Sequence, residues 1–439
     1  MASGSARIEV RAMTGPYSPP EPAGITGLGF NGAVTAPTAP APAGTRPSFD
    51  LLDPEFYRPN PHEAYTWMRH HEPVYRDERN GLWAVTRHAD VLDVERRNHV
   101  FLSGPGYRAL PSPDETNMIA QDDPRHQQQR RLVSRDFTPA AVRTRADETR
   151  ALVVDLLDEA LVPDAGGTGV LEVVDQLAAQ LPARLTSRLL GFPEEQWRDL
   201  KSWSERLMRL DTMDRDPDVA MGVVTACFEF NTRLDDLLAA RTGCPMDDLL
   251  SVWANAEIEG KPLDRLSIFH ETGLFISGGA ETTRTVIAHG LRAFCDHPDQ
   301  WERLAEHPEA IPTAVEELLR WVTPLNNFFR TAAVDTEVGG QAIAAGDRVI
   351  LLYPSANRDE AVFDEPFRFD VTRSPNHHVA FGYGTHFCLG ANFARQTLRI
   401  LLEELSTRLT DLHVVSEPDV EPNLFARAVR TFELGYRRR

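Results

Sequence analysis

Cysteine is scarce in this chain: Cys227, Cys244, Cys295 and Cys388 are the only four in 439 residues, and they follow no framework spacing. That scarcity excludes a disulfide scaffold and suits a reducing cytoplasm. No run of about eighteen apolar residues exists, which excludes a membrane-spanning helix, and the N-terminus lacks the apolar core of a signal peptide. Positive charge is in deficit. With 46 Lys and Arg against 65 Asp and Glu, the formal net charge of −19 excludes phosphate-backbone binding as the main task and predicts a soluble protein that binds no nucleic acid. No Gly-rich fingerprint joins a strand to a helix, so no dinucleotide or flavin site is expected.

What is present centres on the ten residues from Phe381 to Gly390, a Gly-rich aromatic loop that holds Cys388. An apolar-periodic helix follows directly, with Phe393, Leu398, Leu401, Leu405 and Leu409 at three- to five-residue steps. A loop running into a helix N-terminus favours a thiolate over a thiol, and the thiolate is the form that binds metal. Zinc or an iron–sulfur cluster needs several thiolates close in sequence, and no second cysteine lies within ninety positions. One thiolate suffices for haem.

Taken in order, residues 1 to 48 are rich in Pro, Ala, Gly and Ser and read as a disordered arm. From there to residue 439 the pattern is that of one globular domain, mainly α with small β regions. A hairpin is predicted around Asn80-Gly81, then a helix from His88. Residues 101 to 121, broken by Gly104, Pro105, Gly106, Pro111 and Pro113, form a long loop of the kind that makes a lid or binding wall. Asp123 and Pro124 read as N-cap and first helical residue, which places His126 and Arg130 on one helical face within reach of one anion.

A long helix is predicted from about Leu263 to Cys295, with Gly278-Gly279-Ala280-Glu281-Thr282-Thr283 in its middle. Two mid-helix glycines cost about 2 kcal/mol relative to alanine, and a buried glutamate costs more, so the segment has a use. Glycines let a flat ligand approach the backbone. Thr282 can offer its hydroxyl, and Glu281 can relay protons. In the helix Ile311 to Val322, either Glu316 or Glu317 can pair with Arg320, and spacing alone does not choose. Strands follow at Phe328 to Asp335 and Asp347 to Tyr353.

Together these residues resemble the cytochrome P-450 superfamily of haem-thiolate monooxygenases, over nearly all of the chain after the arm. The cysteine-loop pattern is met by Phe381, Gly384, Cys388 and Gly390, and the oxygen-activating helix pattern by Gly279, Glu281 and Thr282. The resemblance implies the cytochrome P-450 fold, with haem b between a long central helix and the cysteine-ligand loop. Cys388 is then the axial iron ligand, and His126, Arg130, Arg330 and His386 are donors to the haem propionates. Glu317 and Arg320 become a buried structural pair, with Arg368 in Pro-Phe-Arg-Phe as the third member of the triad. Thr282 and Glu281 become the catalytic pair that handles dioxygen and its protons.

The segments Arg320-Trp321-Val322-Thr323-Pro324, Ser355-Ala356-Asn357 and Asp359 to Phe363 resemble the actinobacterial branch that oxidises sterols and branched lipids. The likeness implies a bacterial-style cytoplasmic monomer without a membrane anchor. It also implies an apolar substrate, dioxygen, and electrons from a ferredoxin with its ferredoxin reductase. Arg130, Arg131, Arg135, Arg395 and Arg399 are candidates for the ferredoxin surface. The distal pocket is expected to be lined by the 101 to 121 loop, Phe275, Ile276, Ala280, Leu325 to Phe329 and Leu424 to Val429, with Asn326, Asn327 and Arg427 available to orient a polar group. Two other readings stand beside this one: a haem-thiolate enzyme that uses peroxide, and a haem-based sensor.

Overall fold

The structure is a computed structural model that describes residues 46–58, 60–112, 114–241 and 244–439. The expected arm at residues 1 to 48 lies outside the described residues up to position 45. Ser48 to Arg439 form one compact unit.

Its axis is the helix Arg265–Asp296, 32 residues long and so about 48 Å from end to end. Asp264 caps it by accepting from the Ser267 N–H at 2.8 Å. Aliphatic and aromatic side chains cover it on several sides. Val286, Ile287, Leu291 and Phe294 enter one core with the helices Ile311–Val322 and Ala391–Arg408, while Ile276 and Ala280 enter a second with Trp203, Phe230 and Trp253. A helix apolar all round is buried, and this one is the beam on which the other helices rest. The pair Gly278-Gly279 does not interrupt it.

The β structure is peripheral. Five strands run in the order Val74–Asp77, Leu82–Val85, Arg348–Leu351, Phe328–Ala332, Phe101–Leu102. All neighbours are antiparallel except Arg348–Leu351 against Leu82–Val85. The predicted hairpin closes at Gly81, whose φ of +65° glycine adopts without penalty. A three-stranded sheet of Leu409–Ser416, Glu433–Arg438 and Thr168–Glu172 closes the C-terminus.

One helix start differs from expectation. The helix Arg125–Val133 has Pro124, not Asp123, as its N-cap residue, behind a cis Asp123–Pro124 peptide. Asp123 instead accepts from Asn98 and Gln127, both at 2.9 Å. No helix among the described residues is long and apolar enough to cross a membrane.

Candidate active site

The loop that carries Cys388 is folded back on itself by backbone. The Cys388 N–H donates to the Phe381 carbonyl at 2.9 Å, and Gly382 and Gly384 take φ of +67° and +68°. At Gly384 only glycine fits, because a Cβ would stand 2.6 Å from the Glu95 carbonyl oxygen. Gly390 is the N-cap residue of the helix Ala391–Arg408, two residues beyond the cysteine. Burial pushes the Cys388 thiol up, against the Gly390 N–H and the charges of Arg130 and Arg395, so the loop alone does not make the thiolate. A metal cation at the sulfur supplies the charge that does.

Two acids in the middle of the helix Ile311–Val322 pin this region, and the structure separates their tasks. Glu316 accepts from Arg395 Nε and Nη2 at 2.7 and 2.8 Å and lies 3.1 Å from His378 Nε2. Against the upward push of burial, His378 and Arg395 hold its carboxyl down at about 2. Arg395 also stacks over the Phe381 ring at 4.6 Å. Glu317 pairs with Arg320 at 2.7 and 2.8 Å, both fully buried.

The third member of the triad is not Arg368. That side chain is 60% exposed and pairs with Glu365 at 2.9 Å. Arg373 takes the place, 10% exposed, with Nε 3.2 Å from Glu317. Its other nitrogens donate to the carbonyls of Asp364, Glu365 and Arg368. The Arg368 carbonyl also accepts from Arg320, so the backbone of residue 368 belongs to the network while its side chain turns to solvent.

On the central helix, Gly278 and Gly279 are exposed and Thr282 half-buried, although Ile276, Ala280, Glu281 and Thr283 around them are buried. A Cβ on Gly278 would meet nothing within 4 Å, whereas one on Gly279 would stand 2.6 Å from Thr186 Oγ1. The glycine that leaves room for a ligand is therefore Gly278, and Gly279 serves the packing of the helix Gln180–Leu190 against the beam. Thr282 Oγ1 donates to the Gly278 carbonyl at 2.9 Å, which leaves its oxygen free to accept.

Glu281 is buried. Arg284 Nη1 lies 3.2 Å from its Oε2, its Oε1 has no partner among the described residues, and burial raises its pKa against the pull of Arg284. Arg284 continues to Glu205, and Glu205 to Lys201 at 3.1 Å. A cavity of about 250 Å³ lined by Lys201, Glu205, Arg209, Glu281, Arg284 and Glu421 opens beside this chain.

Three of the four expected propionate donors gather at the cysteine loop. The His126 and His386 rings lie 4.1 Å apart, and His126 Nε2 is 3.0 Å from the Thr385 carbonyl. Arg130 donates to the Phe387 carbonyl at 2.5 Å and has no carboxylate partner among the described residues. Burial lowers its pKa, against Cys388. His386 Nδ1 is buried with no partner, and its Nε2 lies 3.2 Å from Ser103 Oγ. Burial, then Arg330, His126 and Arg130, keep that ring neutral. Arg330 is partnered by Glu95 at 3.3 Å.

A lone sulfur, an open glycine on the facing helix, an orphaned imidazole nitrogen and an arginine without an acid fit a flat group that carries iron and anionic arms. These residues therefore fit haem. Sequence reasoning missed Arg373, and it named the pair Gly278-Gly279 without telling which of the two is open, because open space beside one of two adjacent glycines is not visible in a linear pattern.

A cavity of about 450 Å³ opens along the N-terminal half of the central helix, lined by residues between Tyr107 and Glu115 and by Gly273, Leu274 and Ser277. Ser277 directly precedes Gly278. Phe275, Ile276 and Ala280, expected to line it, lie instead in or against the core around Trp203. Leu325 and Phe328 pack with Met208 and Phe425. Asn326 and Asn327 are buried and committed to the carbonyls of Asn423 and Leu424, and Arg427 to that of Val322. Of the five arginines expected to meet a redox partner, Arg395 and Arg399 are paired with Glu316 and Glu403, whereas Arg131 and Arg135 are exposed.

The cytochrome P450 family model matches residues 229–426. A steroid C26-monooxygenase from Mycobacterium tuberculosis is 39% identical over 380 residues, spanning 86% of this chain and 93% of that protein. The linalool 8-monooxygenase of Pseudomonas putida is 33% identical over 392 residues, spanning 84% and 94%. A Mycobacterium marinum cytochrome P450 solved in complex with pseudoionone matches with a TM-score of 0.81 at 36% identity, covering 89% of this chain and all of that one. With these likenesses extending far beyond the motifs around Cys388, the chain belongs to the cytochrome P450 family, the monooxygenases that hold haem b.

Proposed function

We propose that this protein hydroxylates an unactivated C–H bond of an apolar small molecule of the steroid or terpenoid class, using dioxygen and two electrons from a ferredoxin. The observation that carries the reading is the pairing of the Cys388 loop with a central helix opened at Gly278 and Thr282. The names of the similar proteins, a steroid and a linalool monooxygenase, support the substrate class.

Bound haem supplies the activation of dioxygen, favoured by electron density from a cysteine thiolate. Within that scheme the chain's own groups have separable tasks. Cys388 holds the iron, and Arg395, braced by Glu316 over Phe381, keeps its loop in place. Arg130 and the free Nδ1 of His386 are the groups poised to take the anionic arms. Thr282 accepts a hydrogen bond at the open face. Burial raises the Glu281 pKa against the pull of Arg284, which favours proton uptake there, and the polar cavity toward Lys201 gives a proton a route to it. The intact Glu281–Thr282 pair disfavours a peroxide-using enzyme, which needs no such route. For the redox partner, Arg131 and Arg135 are the charges left for an acidic ferredoxin on the cysteine side.

The test is product formation. The holoprotein with ferredoxin, its reductase and dioxygen should hydroxylate a steroid or terpenoid that shifts the ferric spectrum, and the reduction rate should fall with added salt. Turnover only with peroxide would favour the rival enzyme, and no product with any bound ligand would favour a sensor.

A further inference from the structure

The 450 Å³ cavity is apolar along most of its length, through Leu207, Leu210, Phe230, Phe269 and Leu274, yet one end is polar. There Glu115 and His270 share the wall. The Thr116 N–H donates to His270 Nδ1 at 3.0 Å, and Thr116 Oγ1 lies 2.9 Å from the same nitrogen. An Nδ1 that accepts from a backbone amide has no proton of its own, so in the neutral ring Nε2 carries it. Burial lowers the His270 pKa and keeps the ring neutral. Its Nε2–H has no partner among the described residues.

Glu115 is held with equal definition. Its Oε1 accepts from Tyr107 OH at 3.1 Å and from Asn117 Nδ2 at 2.5 Å. The Oε2 has no partner among the described residues. Arg108 also lines the cavity, but its fork is spent on Asp211 at 2.6 and 3.0 Å and on the carbonyls of Leu207 and Met208. The polar end therefore offers one unused donor and one unused carboxyl oxygen, on a group whose pKa burial raises against the pull of Tyr107, Arg108 and Asn117, with no free cation among the described lining residues. Asp114, exposed on the same wall, adds a second negative charge.

A donor beside an acceptor is complementary to a hydroxyl, which accepts from one and donates to the other. A ketone or ether engages only the donor, and a carboxylate meets Glu115 with like charge. We propose that Glu115 and His270 form a hydroxyl-recognition site, so that the substrate is an apolar alcohol bound by its OH and free fatty acids are rejected. His270 precedes Thr282 by twelve positions, about 18 Å along the helix. Resting on the monooxygenase reading above, this spacing puts the oxidised carbon at the end of the substrate remote from its hydroxyl.

Two matched series titrated into the ferric holoprotein by calorimetry test the site: cholesterol with its 3-methyl ether and its 3-ketone, and dodecanol with its methyl ether and dodecanoate. In the series that binds, the alcohol should bind about tenfold or more tighter than its ether, as the loss of a hydrogen bond to a charged group predicts. Glu115→Gln keeps an acceptor for Tyr107 and Asn117 but removes the charge, and it should raise dodecanoate affinity about tenfold, a gain that misfolding cannot imitate. His270→Phe should weaken the alcohol and its ether alike, because the donor is the group both engage, and should leave the alcohol-to-ether ratio near its parent value. Equal binding of alcohol and ether, dodecanoate binding as tightly as dodecanol, no binding in either series, or unchanged dodecanoate affinity in Glu115→Gln would each overturn the proposal. Calorimetry needs no turnover. Alcohol preference without product would leave the hydroxyl site standing and remove the monooxygenase reading, while product without preference would do the reverse. Oxidation next to the hydroxyl would overturn the predicted spacing.

Discussion

Replacing Arg373 by alanine should destabilise the protein far more than replacing Arg368, although the two arginines lie five positions apart. Arg373 places Nε 3.2 Å from the fully buried Glu317 and ties the carbonyls of Asp364, Glu365 and Arg368 with its remaining nitrogens. Its loss leaves Glu317 with Arg320, the Asp370 N–H and Asn376, so the acid is under-compensated rather than abandoned. Breaking a buried pair outright costs about 3–5 kcal/mol, and the surviving partners put this case near the lower figure, about 3 kcal/mol. Arg368 makes only exposed pairs, with Glu365 at 2.9 Å and Asp370 at 3.9 Å, and exposed pairs of this kind contribute little. Thermal unfolding of the holoprotein and haem retention on dilution are the assays. Arg373→Ala should lose both stability and haem, Arg373→Lys should fall between because a point charge cannot reach four acceptors, and Arg368→Ala should resemble the parent. A larger loss in Arg368→Ala than in Arg373→Ala would refute the assignment.

Burial pushes the carboxyl of Glu271 up to about 8, against the N–H of Met118 that it accepts. The folded protein then keeps a proton that the unfolded chain releases, so stability falls by about 1.4 kcal/mol per pH unit as pH rises from about 4.5 to about 8. Glu271→Gln should flatten that slope in pH-dependent unfolding, and parallel profiles would refute it. Gly279→Ala should destabilise by about 1–3 kcal/mol through Thr186, with partial rescue by Thr186→Ala in the double variant. Gly278→Ala should instead stabilise the apoprotein by about 1 kcal/mol and weaken haem retention; a stability loss like that of Gly279→Ala would count against the open slot. Thr282→Ala should divert oxygen consumption to peroxide, and unchanged coupling of product to electron use would remove its role.

The broad outline was legible in sequence because it rests on local rules. The central helix, the hairpin at Gly81 and the helix after Cys388 all follow from periodicity and turn chemistry, and the structure places them within a few residues of expectation. Choices between neighbours were not legible. Glu316 and Glu317 differ by one position, yet one braces Arg395 and the other Arg320, because successive helical residues point about 100° apart toward different elements. Arg373 takes the role expected of Arg368 for a related reason: the stretch from Pro354 to Phe381 has no period, so nothing in the pattern says which arginine turns inward. The polar end of the cavity was invisible for a third reason. Glu115 and His270 lie 155 positions apart and meet only through the fold of the long loop onto the central helix.

The monooxygenase reading depends on Cys388 as the iron ligand. The most direct measurement is the absorption spectrum of the reduced protein under carbon monoxide, parent against Cys388→Ser. The parent should show the red-shifted Soret band of a thiolate-ligated haem, and the variant should lose it whether or not it retains haem. A variant that kept the red-shifted band would contradict the account, because Cys227, Cys244 and Cys295 stand outside the loop the site is built on.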